Sequence, residues 1–433
     1  MSHSSSQLVR SLFVRRAIAR CAALVVAAAL PCAAACQSAP DETIPVSSAP
    51  PSRHVALRDA LTEDARGLSF KEGQWLESLG DAPFFGLAWL SRRAASGPLP
   101  PEDAIRLDQS LARARVLLAS DLLSGDLQEK VMAALGVIEH TAASKDLRDV
   151  PAVDEFLDRL DHLVSALGDY LDGVSDTSWA VRTYGPTAVT ALVALVHAQY
   201  ALLIDNDHSR EHQDRAIALE RRITDRALTD LADAPSGRSV RGYAFAPGRA
   251  SLDLYPNTSM ILLEARLYRL TKSETYRLEA RALYGAIQPL KLSDVPARYA
   301  SPYAAESLKA KTREVATLSS QNYLALALML LFEITGDAKF SDEADRVLDA
   351  IETMRGPWCL AQVQITTCAP TCAGGQACVA AACTADHCTT GLLHHVVDGR
   401  LAAPGDPTLF CSGCNLQSLY VIGYRRALAG ERF

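Results

Sequence analysis

A distinctive hydrophobic pattern lies between Leu318 and Ile351. Residues Tyr323–Phe332 include no charged or amide side chain, so a helix there would be buried on nearly all sides. Ten residues are too few to cross a bilayer, which places this burial inside the protein. After a turn at Gly336, residues 340–351 carry apolar side chains at intervals of three and four, with charged residues between them. That spacing predicts an amphipathic helix with one buried face.

This pair of helices recurs along the chain with a spacing of 64 residues. The seven matching positions of the earlier copy are Tyr268, Leu270, Thr271, Tyr276, Ala280, Leu283 and Ile287, against Phe332, Ile334, Thr335, Phe340, Ala344, Val347 and Ile351. A weaker copy, another 64 residues earlier, retains Ile204, His212, Ala216 and Leu219. Such a repeat predicts an array of helical hairpins. Since only the amphipathic helices have a solvent face, we expect the apolar helices to form an inner layer that includes Ala188–Ile204, Met260–Tyr268 and Tyr323–Phe332.

The whole pattern predicts an all-α chain. Twelve helices are expected, near residues 54–66, 82–95, 102–120, 125–143, 152–173, 186–205, 208–231, 255–271, 273–289, 318–335, 339–354 and 414–429. The segments Tyr255–Ile287 and Gln321–Ile351, each an apolar helix, a turn led by threonine and an amphipathic helix, resemble the six-hairpin (α/α)6 toroid superfamily. This resemblance implies a toroid domain over residues 54–433 and an action on carbohydrate, because many glycoside hydrolases, polysaccharide lyases and sugar epimerases share the fold. An open superhelical stack of hairpins is the alternative.

The N-terminal region predicts export. Residues 1–35 combine four arginines with an apolar run that ends in small residues, which is typical of a signal peptide. Ala33-Ala34-Ala35-Cys36 resembles a bacterial lipoprotein signal, so we expect Cys36 to carry lipid, with ordinary cleavage nearby as the alternative. Residues 36–53 are rich in proline and serine and predict a flexible tether. The expected location is therefore the outer membrane or cell surface, facing periplasm or exterior.

The charge balance limits the partners of the chain. The full chain has a net charge of −7, and removal of four arginines with the signal peptide leaves −11 on the mature chain. An acidic surface argues against binding to nucleic acid. The expected partners are a glycan or a cell-surface protein, with the membrane reached through the lipid anchor.

Eight cysteines lie near the C-terminus, and none occurs from residue 37 to 358. They are Cys359, Cys368, Cys372, Cys378, Cys383, Cys388, Cys411 and Cys414. In an exported chain an even number of cysteines is most simply four disulfides. We therefore expect residues 359–411 to be a disulfide-rich loop insertion in the toroid, carried between strands at residues 360–365 and 392–397. A zinc site formed by Cys359, Cys411, Cys414 and a histidine is the alternative; otherwise no metal and no cofactor are expected.

Candidate chemistry lies where the chain enters the inner helices, since ligands of toroids normally meet those loops. The predicted substrate-binding residues are Tyr184, Tyr255, Asn257, Gln321, Asn322 and Asn415. Aromatic rings can stack on a sugar, and amides can both donate to and accept from its hydroxyls. The competing interpretation is that these residues cap helices or pack in the core.

The predicted catalytic residues are His394, His395, Asp398 and Asp253. Histidine exchanges protons near neutral pH, and a glycosidase needs two carboxylates. Asp253, Glu306, Asp398 and Asp406 could supply the carboxylates, but no paired-acid motif is present. The alternative to a carbohydrate-active hydrolase, lyase or epimerase is a non-catalytic lipoprotein that binds a glycan or protein. A polar cleft would favour an enzyme, and an apolar filling would favour the binding protein. His197, within an apolar helix, is expected to be a core residue.

Overall fold

A computed structural model describes most of the helical part of the chain. The described residues are 82–122, 127–167, 186–232, 239–249, 251–302, 314–354, 412–431 and 433, with short strand segments elsewhere. Side chains are described within these ranges except at 82–83, 163–167, 412–413 and 415.

Six of the described helices form a closed inner ring. They are α1 (Ala82–Ser96), α3 (Leu127–Ser144), α5 (Pro186–Leu203), α7 (Leu254–Thr271), α9 (Leu318–Thr335) and α11 (Ser412–Leu428). Each packs against the next, and α11 packs back against α1. The ring is therefore a closed toroid and not an open stack, and the three helices expected on the inner layer lie in it.

The other described helices form the outer layer. They are α2 (Pro101–Ala119), α4 (Val150–Leu167), α6 (Ser209–Ala227), α8 (Glu274–Ala286) and α10 (Ala338–Glu352). The helices α6, α8 and α10 each pack on the inner helix that precedes them. Inner helices such as α9 are buried all round, whereas α10 buries one face through Phe340, Ala344, Val347 and Ile351. The predicted helix near 54–66 lies outside the described residues.

The 64-residue repeat is visible in the ends of the helices. Thr271 and Thr335 each donate from the hydroxyl to a carbonyl four residues earlier, and each accepts from the backbone N–H two residues later. The next residues, Lys272 and Gly336, both have left-handed backbones, with φ of 58° and 66°. The left-handed position expected at Gly336 is thus confirmed.

Two β-hairpins that the sequence reading missed lead into inner helices. Strands β3 (Leu228–Ala232) and β4 (Ser239–Tyr243) pair before α7, and β5 (Lys291–Asp294) and β6 (Ala297–Tyr299) pair before α9. The helix expected over 208–231 therefore ends at Ala227, so that prediction was too long. Pairing with β4, including Leu231 opposite Val240, overrides the helical pattern of the last four residues.

Among the described residues, α5 alone is long and apolar enough to cross a membrane, but 78% of it is buried inside the protein. Its apolar character is explained by its place in the inner ring.

Short strands mark the cysteine-rich segment and its flanks. They are β7 (Trp358–Cys359), β8 (Ala377–Val379), β9 (Ala382–Thr384), β10 (Cys388–Thr389), β11 (Val396–Val397) and β12 (Arg400–Leu401). Two further short strands, β1 (Phe70–Lys71) and β2 (Gln74–Trp75), pair with each other before α1. β11 pairs with β12, and β7 pairs with β10. The Asp-Gly sequence between β11 and β12 favours this tight local hairpin. Residues 360–365, the expected partners of 392–397, lie outside the described residues, so that pairing stays a prediction.

The register of the short strands places two pairs of cysteines opposite each other. Cys378 lies opposite Cys383, and Cys359 lies opposite Cys388. Opposite residues of an antiparallel pair have Cα atoms about 4.5–5.5 Å apart, a distance that disulfides span. Cys414 is disulfide-bonded, so it lacks the thiolate that the alternative zinc site needs. Which cysteines are joined to one another stays a prediction.

Candidate functional site

The two ends of the inner ring differ in the length of their connections. Four of the connections that enter inner helices are long, with 18 residues before α5, 26 before α7, 31 before α9 and 59 before α11. The connections that leave inner helices have two to five residues. Because inner helices run in one direction and outer helices return, all long connections belong to one end, which we call the N-terminal face. Long connections on a rigid scaffold are typical of functional faces.

Aromatic side chains converge between the inner helices below this face. We call Phe84, Phe85, Tyr255, Tyr323 and Tyr420 the aromatic floor; they come from α1, α7, α9 and α11. The rings of Tyr255 and Tyr323 lie 4.8 Å apart, and Phe85 meets Tyr323 edge-on at 6.0 Å and Tyr420 at 5.5 Å. All five are at least nine-tenths buried. Tyr255, a predicted binding residue, therefore belongs to a packed aromatic cluster.

Beneath the floor, the centre of the ring is nearly filled. The remaining cavity is about 40 Å³ and is lined mainly by apolar side chains, with Glu139, Gln199 and Arg266 on one side. Ligand pockets usually measure several hundred Å³. This cavity can therefore hold a few water molecules and not a sugar ring.

Asn257 and Gln321, two predicted binding residues exactly 64 positions apart, perform the same structural task. The Asn257 side chain accepts from the N–H of Tyr243 at 2.8 Å and donates to its carbonyl at 3.0 Å. Gln321 makes the same pair of bonds to Tyr299, at 3.1 and 2.9 Å. Each amide thus fastens the last residue of a hairpin to the following inner helix. Both side chains are fully buried, and their polar groups are occupied by backbone.

Asn322 and Asp253 also have structural partners. Asn322 donates to the carbonyl of Cys414 at 2.9 Å and accepts from the hydroxyl of Ser418 at 2.9 Å, which joins α9 to α11. Asp253 caps α7 by accepting from the N–H of Tyr255 at 3.0 Å and is 3% exposed. In the described part of the chain, capping and packing therefore account for these contacts of the predicted site residues.

The other predicted site residues lie outside the described residues. These are Tyr184, His394, His395 and Asp398, together with the side chain of Asn415. By chain position, Tyr184 belongs to the connection before α5, and His394–Asp398 belongs to the connection before α11. Their part in a binding or catalytic site therefore stays a prediction.

A group of charged residues inside the ring was missed by the sequence reading. Arg92 and Glu139 form an ion pair at 2.6 Å, and the amide of Gln199 donates to the second Glu139 oxygen at 2.7 Å. The hydroxyl of Tyr424 donates to Glu333 at 2.7 Å. Arg92 and Glu139 interrupt otherwise apolar helices, and that interruption is the signal that could have revealed them.

This group borders a cleft at the opposite end of the ring. The cleft measures about 540 Å³, and its lining includes Arg92, Ala95, Glu139, Leu203 and Phe433. The Arg92 guanidinium lies 5.5 Å from the centre of the Phe433 ring. Both Glu139 oxygens are already engaged, so the base of this cleft is an ion pair that is satisfied by protein.

His197 is 1% exposed and faces the outer layer, which confirms it as a core residue. Its Nδ1 lies 2.9 Å from Nδ1 of His212, so one ring donates and the other accepts. Burial lowers the pKa of His197 well below its ordinary value, and the neighbouring His212 and Arg215 lower it further. The ring is therefore neutral in the folded chain.

No protein-family model and no curated protein matches the chain. Several solved structures do. A family 76 glycoside hydrolase from a bovine Bacteroides thetaiotaomicron strain is 14% identical, with 84% of this chain and 76% of that chain covered at a TM-score of 0.52. A family 76 α-mannanase from Bacteroides thetaiotaomicron is 11% identical, with 87% and 95% covered at 0.52. An unsaturated glucuronyl hydrolase specific for heparin is 9% identical, with 87% and 96% covered, also at 0.52. The chain is an (α/α)6 toroid.

Proposed function

We propose that the N-terminal face of this toroid binds carbohydrate and acts on it. The observation that carries the proposal is the asymmetry of the ring, in which four entering connections have 18 to 59 residues while the leaving connections at the opposite end have two to five residues. The similar toroids named above, by their own descriptions, act on mannan or on heparin-derived sugar. They support carbohydrate as the ligand class.

In this proposal the chemistry comes from the connection before α11. His394 or His395 exchanges a proton with the sugar, and Asp398 provides a carboxylate, as the sequence predicts. Asp253 is a weaker candidate, because its carboxylate already caps α7.

The test compares binding and turnover of α-mannan and heparin oligosaccharides by the wild-type chain and three variants. His394→Ala and Asp398→Asn should each abolish turnover at unchanged thermal stability. Ala95→Trp, on the exposed rim of the opposite cleft, is the control and should leave turnover unchanged. If the control alone impairs activity, the functional face is the wrong one.

A second candidate function, carbohydrate binding without turnover, is favoured by the filling of the ring. Apolar and aromatic side chains line most of the cavity beneath the aromatic floor, and its volume of about 40 Å³ is too small for a sugar ring. This function predicts saturable glycan binding, no product, and a loss of affinity in the same two variants.

We also propose that the mature chain is held at a membrane through lipid on Cys36. The basic, apolar and small-residue order of residues 1–35 and the tether after them support this. Several acyl chains anchor a protein firmly, whereas one binds marginally. An exported Cys36→Ala variant should therefore move to the soluble fraction, and retention in membranes would refute the anchor.

A further inference from the structure

Three glutamates meet between the inner helix α7 and the outer helices α6 and α8. They are Glu220 on α6, Glu264 on α7 and Glu279 on α8, and one carboxylate oxygen from each lies within 4.8 Å of the other two. Glu264 is 0% exposed and Glu220 is 5% exposed. The group, which we call the glutamate triad, faces the outer layer and is separate from the aromatic floor.

Glu264 is the member of the glutamate triad whose surroundings indicate a bound ligand. It is fully buried and directed at the other two carboxylates, and neither of its oxygens receives a hydrogen bond from a donor in the described part of the chain. A buried charge is costly unless it is paired or bound to a metal. Glu264 is therefore neutralised in the folded chain, either by a proton or by a bound cation.

A chain of two hydroxyl groups holds the carboxylate of Glu220 in place. The hydroxyl of Thr224 lies 2.6 Å from its Oε1 and donates to it. The Tyr243 hydroxyl lies 2.7 Å from Thr224 Oγ1, and since the Thr224 proton is used, Tyr243 is the donor. Metal-binding carboxylates are commonly oriented by such outer hydrogen bonds, which fix the ligand oxygen.

We propose that Glu220, Glu264 and Glu279 bind one divalent cation, with calcium the best match, and that this ion joins α6, α7 and α8. All the ligand atoms are carboxylate oxygens, which suit a hard cation. Calcium binds oxygens at about 2.3–2.6 Å, so oxygens on opposite sides of the ion stand about 4.6–5.2 Å apart. Three carboxylate oxygens within 4.8 Å of one another are therefore close enough to share one such ion. A proton shared between Glu264 and Glu279 would satisfy one oxygen of Glu264 and leave the other buried without a partner.

The test uses the purified full chain, freed of metal with a chelator, and measures calcium binding by calorimetry and melting temperature. We expect one ion per chain. At a calcium concentration 100-fold above the dissociation constant, the melting temperature should rise by about 3 °C. The test variant is Glu264→Gln, which keeps the shape and removes the buried charge. The control is Glu211→Gln, which removes one charge from the exposed face of α6.

Glu211→Gln should respond to calcium as the wild type does, and Glu264→Gln should lose both the heat of binding and the rise in melting temperature. Without calcium, Glu264→Gln should be at least as stable as the wild type, because it lacks the repelling carboxylate. The proposal is wrong if the wild type responds to none of calcium, manganese and magnesium, in which case protons balance the triad. It is also wrong if Glu264→Gln responds as strongly as the wild type.

Discussion

The sharpest structural prediction concerns Asn257, which the sequence assigned to ligand binding and the structure assigns to the hairpin before α7. Asn257→Leu would leave the N–H and the carbonyl of Tyr243 without their side-chain partners, in a place where Asn257 is 0% and Tyr243 2% exposed. A buried polar group that loses its partner costs about 1–3 kcal/mol. For two such groups the free energy of unfolding should fall by about 2–6 kcal/mol.

Asn257→Asp is the more revealing change, because its shape is the same. The carboxylate can still accept from the N–H of Tyr243, but its other oxygen then faces the carbonyls of Tyr243 and Asp253, to which the amide donates at 3.0 and 2.8 Å. Two hydrogen-bond acceptors in contact repel each other, and this second oxygen of the buried carboxylate gains no hydrogen-bond donor to offset the repulsion. We expect a loss of stability at least as large as that of Asn257→Leu.

Urea unfolding, followed by far-ultraviolet circular dichroism, measures these losses. Gln321→Glu makes the same change at the second hairpin and should also destabilise the chain. Gln213→Glu, on the partly exposed outer helix α6, is the control and should change little. If Asn257→Asp and Gln321→Glu unfold at the wild-type urea concentration and lose glycan binding instead, the amides serve a ligand and the structural assignment is wrong.

Three further predictions follow from the packing, the titration and the cysteines. Leu328→Asp should lower the free energy of unfolding by several kcal/mol in the same assay, because it buries an unpaired charge within the fully buried helix α9; an unchanged transition would contradict the inner assignment. Because the pKa of His197 is depressed on folding, the unfolded chain takes up a proton that the folded chain does not as the pH falls below about 6.5. Stability should therefore decline from pH 7 to pH 5, by up to about 1.4 kcal/mol per pH unit, and a His197→Gln variant with the same slope would refute this. Thiol counting under denaturing conditions should find none of the eight C-terminal cysteines free, and two or more reactive thiols would overturn the disulfide prediction.

The helices and their layers were predictable because buried positions recur along each amphipathic helix with the helical period. Tyr323–Phe332 is apolar on every side and lies in the inner ring, whereas the spaced apolar residues of α10 are buried and Lys339 and Asp342 of the same helix are exposed. The left-handed turn at Gly336 followed from the lack of a Cβ atom. Local chemistry was sufficient for these features.

The hairpins and the roles of the amides were not predictable in the same way. Strands β3 and β4 have five residues each. They pair through contacts between Leu228–Ala232 and Ser239–Tyr243, which a local sequence pattern does not predict. Asn257 and Gln321 have the composition of a sugar-binding site, but their partners are backbone groups 14 and 22 residues away. The 64-residue spacing between them was in the sequence, and it would have favoured a repeated structural role over a single ligand site.

The glutamate triad was not predicted from the sequence for a related reason. Glu220, Glu264 and Glu279 lie on three different helices, and two of those helices are amphipathic, where a glutamate is ordinary. Glu264 alone carried a signal, as a charged residue within the apolar helix α7. Charged residues in inner helices, such as Arg92 and Glu139, are the sequence signal that could have predicted these buried polar groups.

The central claim is that carbohydrate binds at the N-terminal face of the toroid. Hydrogen–deuterium exchange, with and without α-mannan or heparin oligosaccharides, locates binding directly. We predict protection in the entering connections, at residues 168–185 and 353–411, and unchanged exchange in the leaving connections at 97–100 and 204–208. Protection confined to the opposite cleft, or no protection with any of these glycans, would contradict the account.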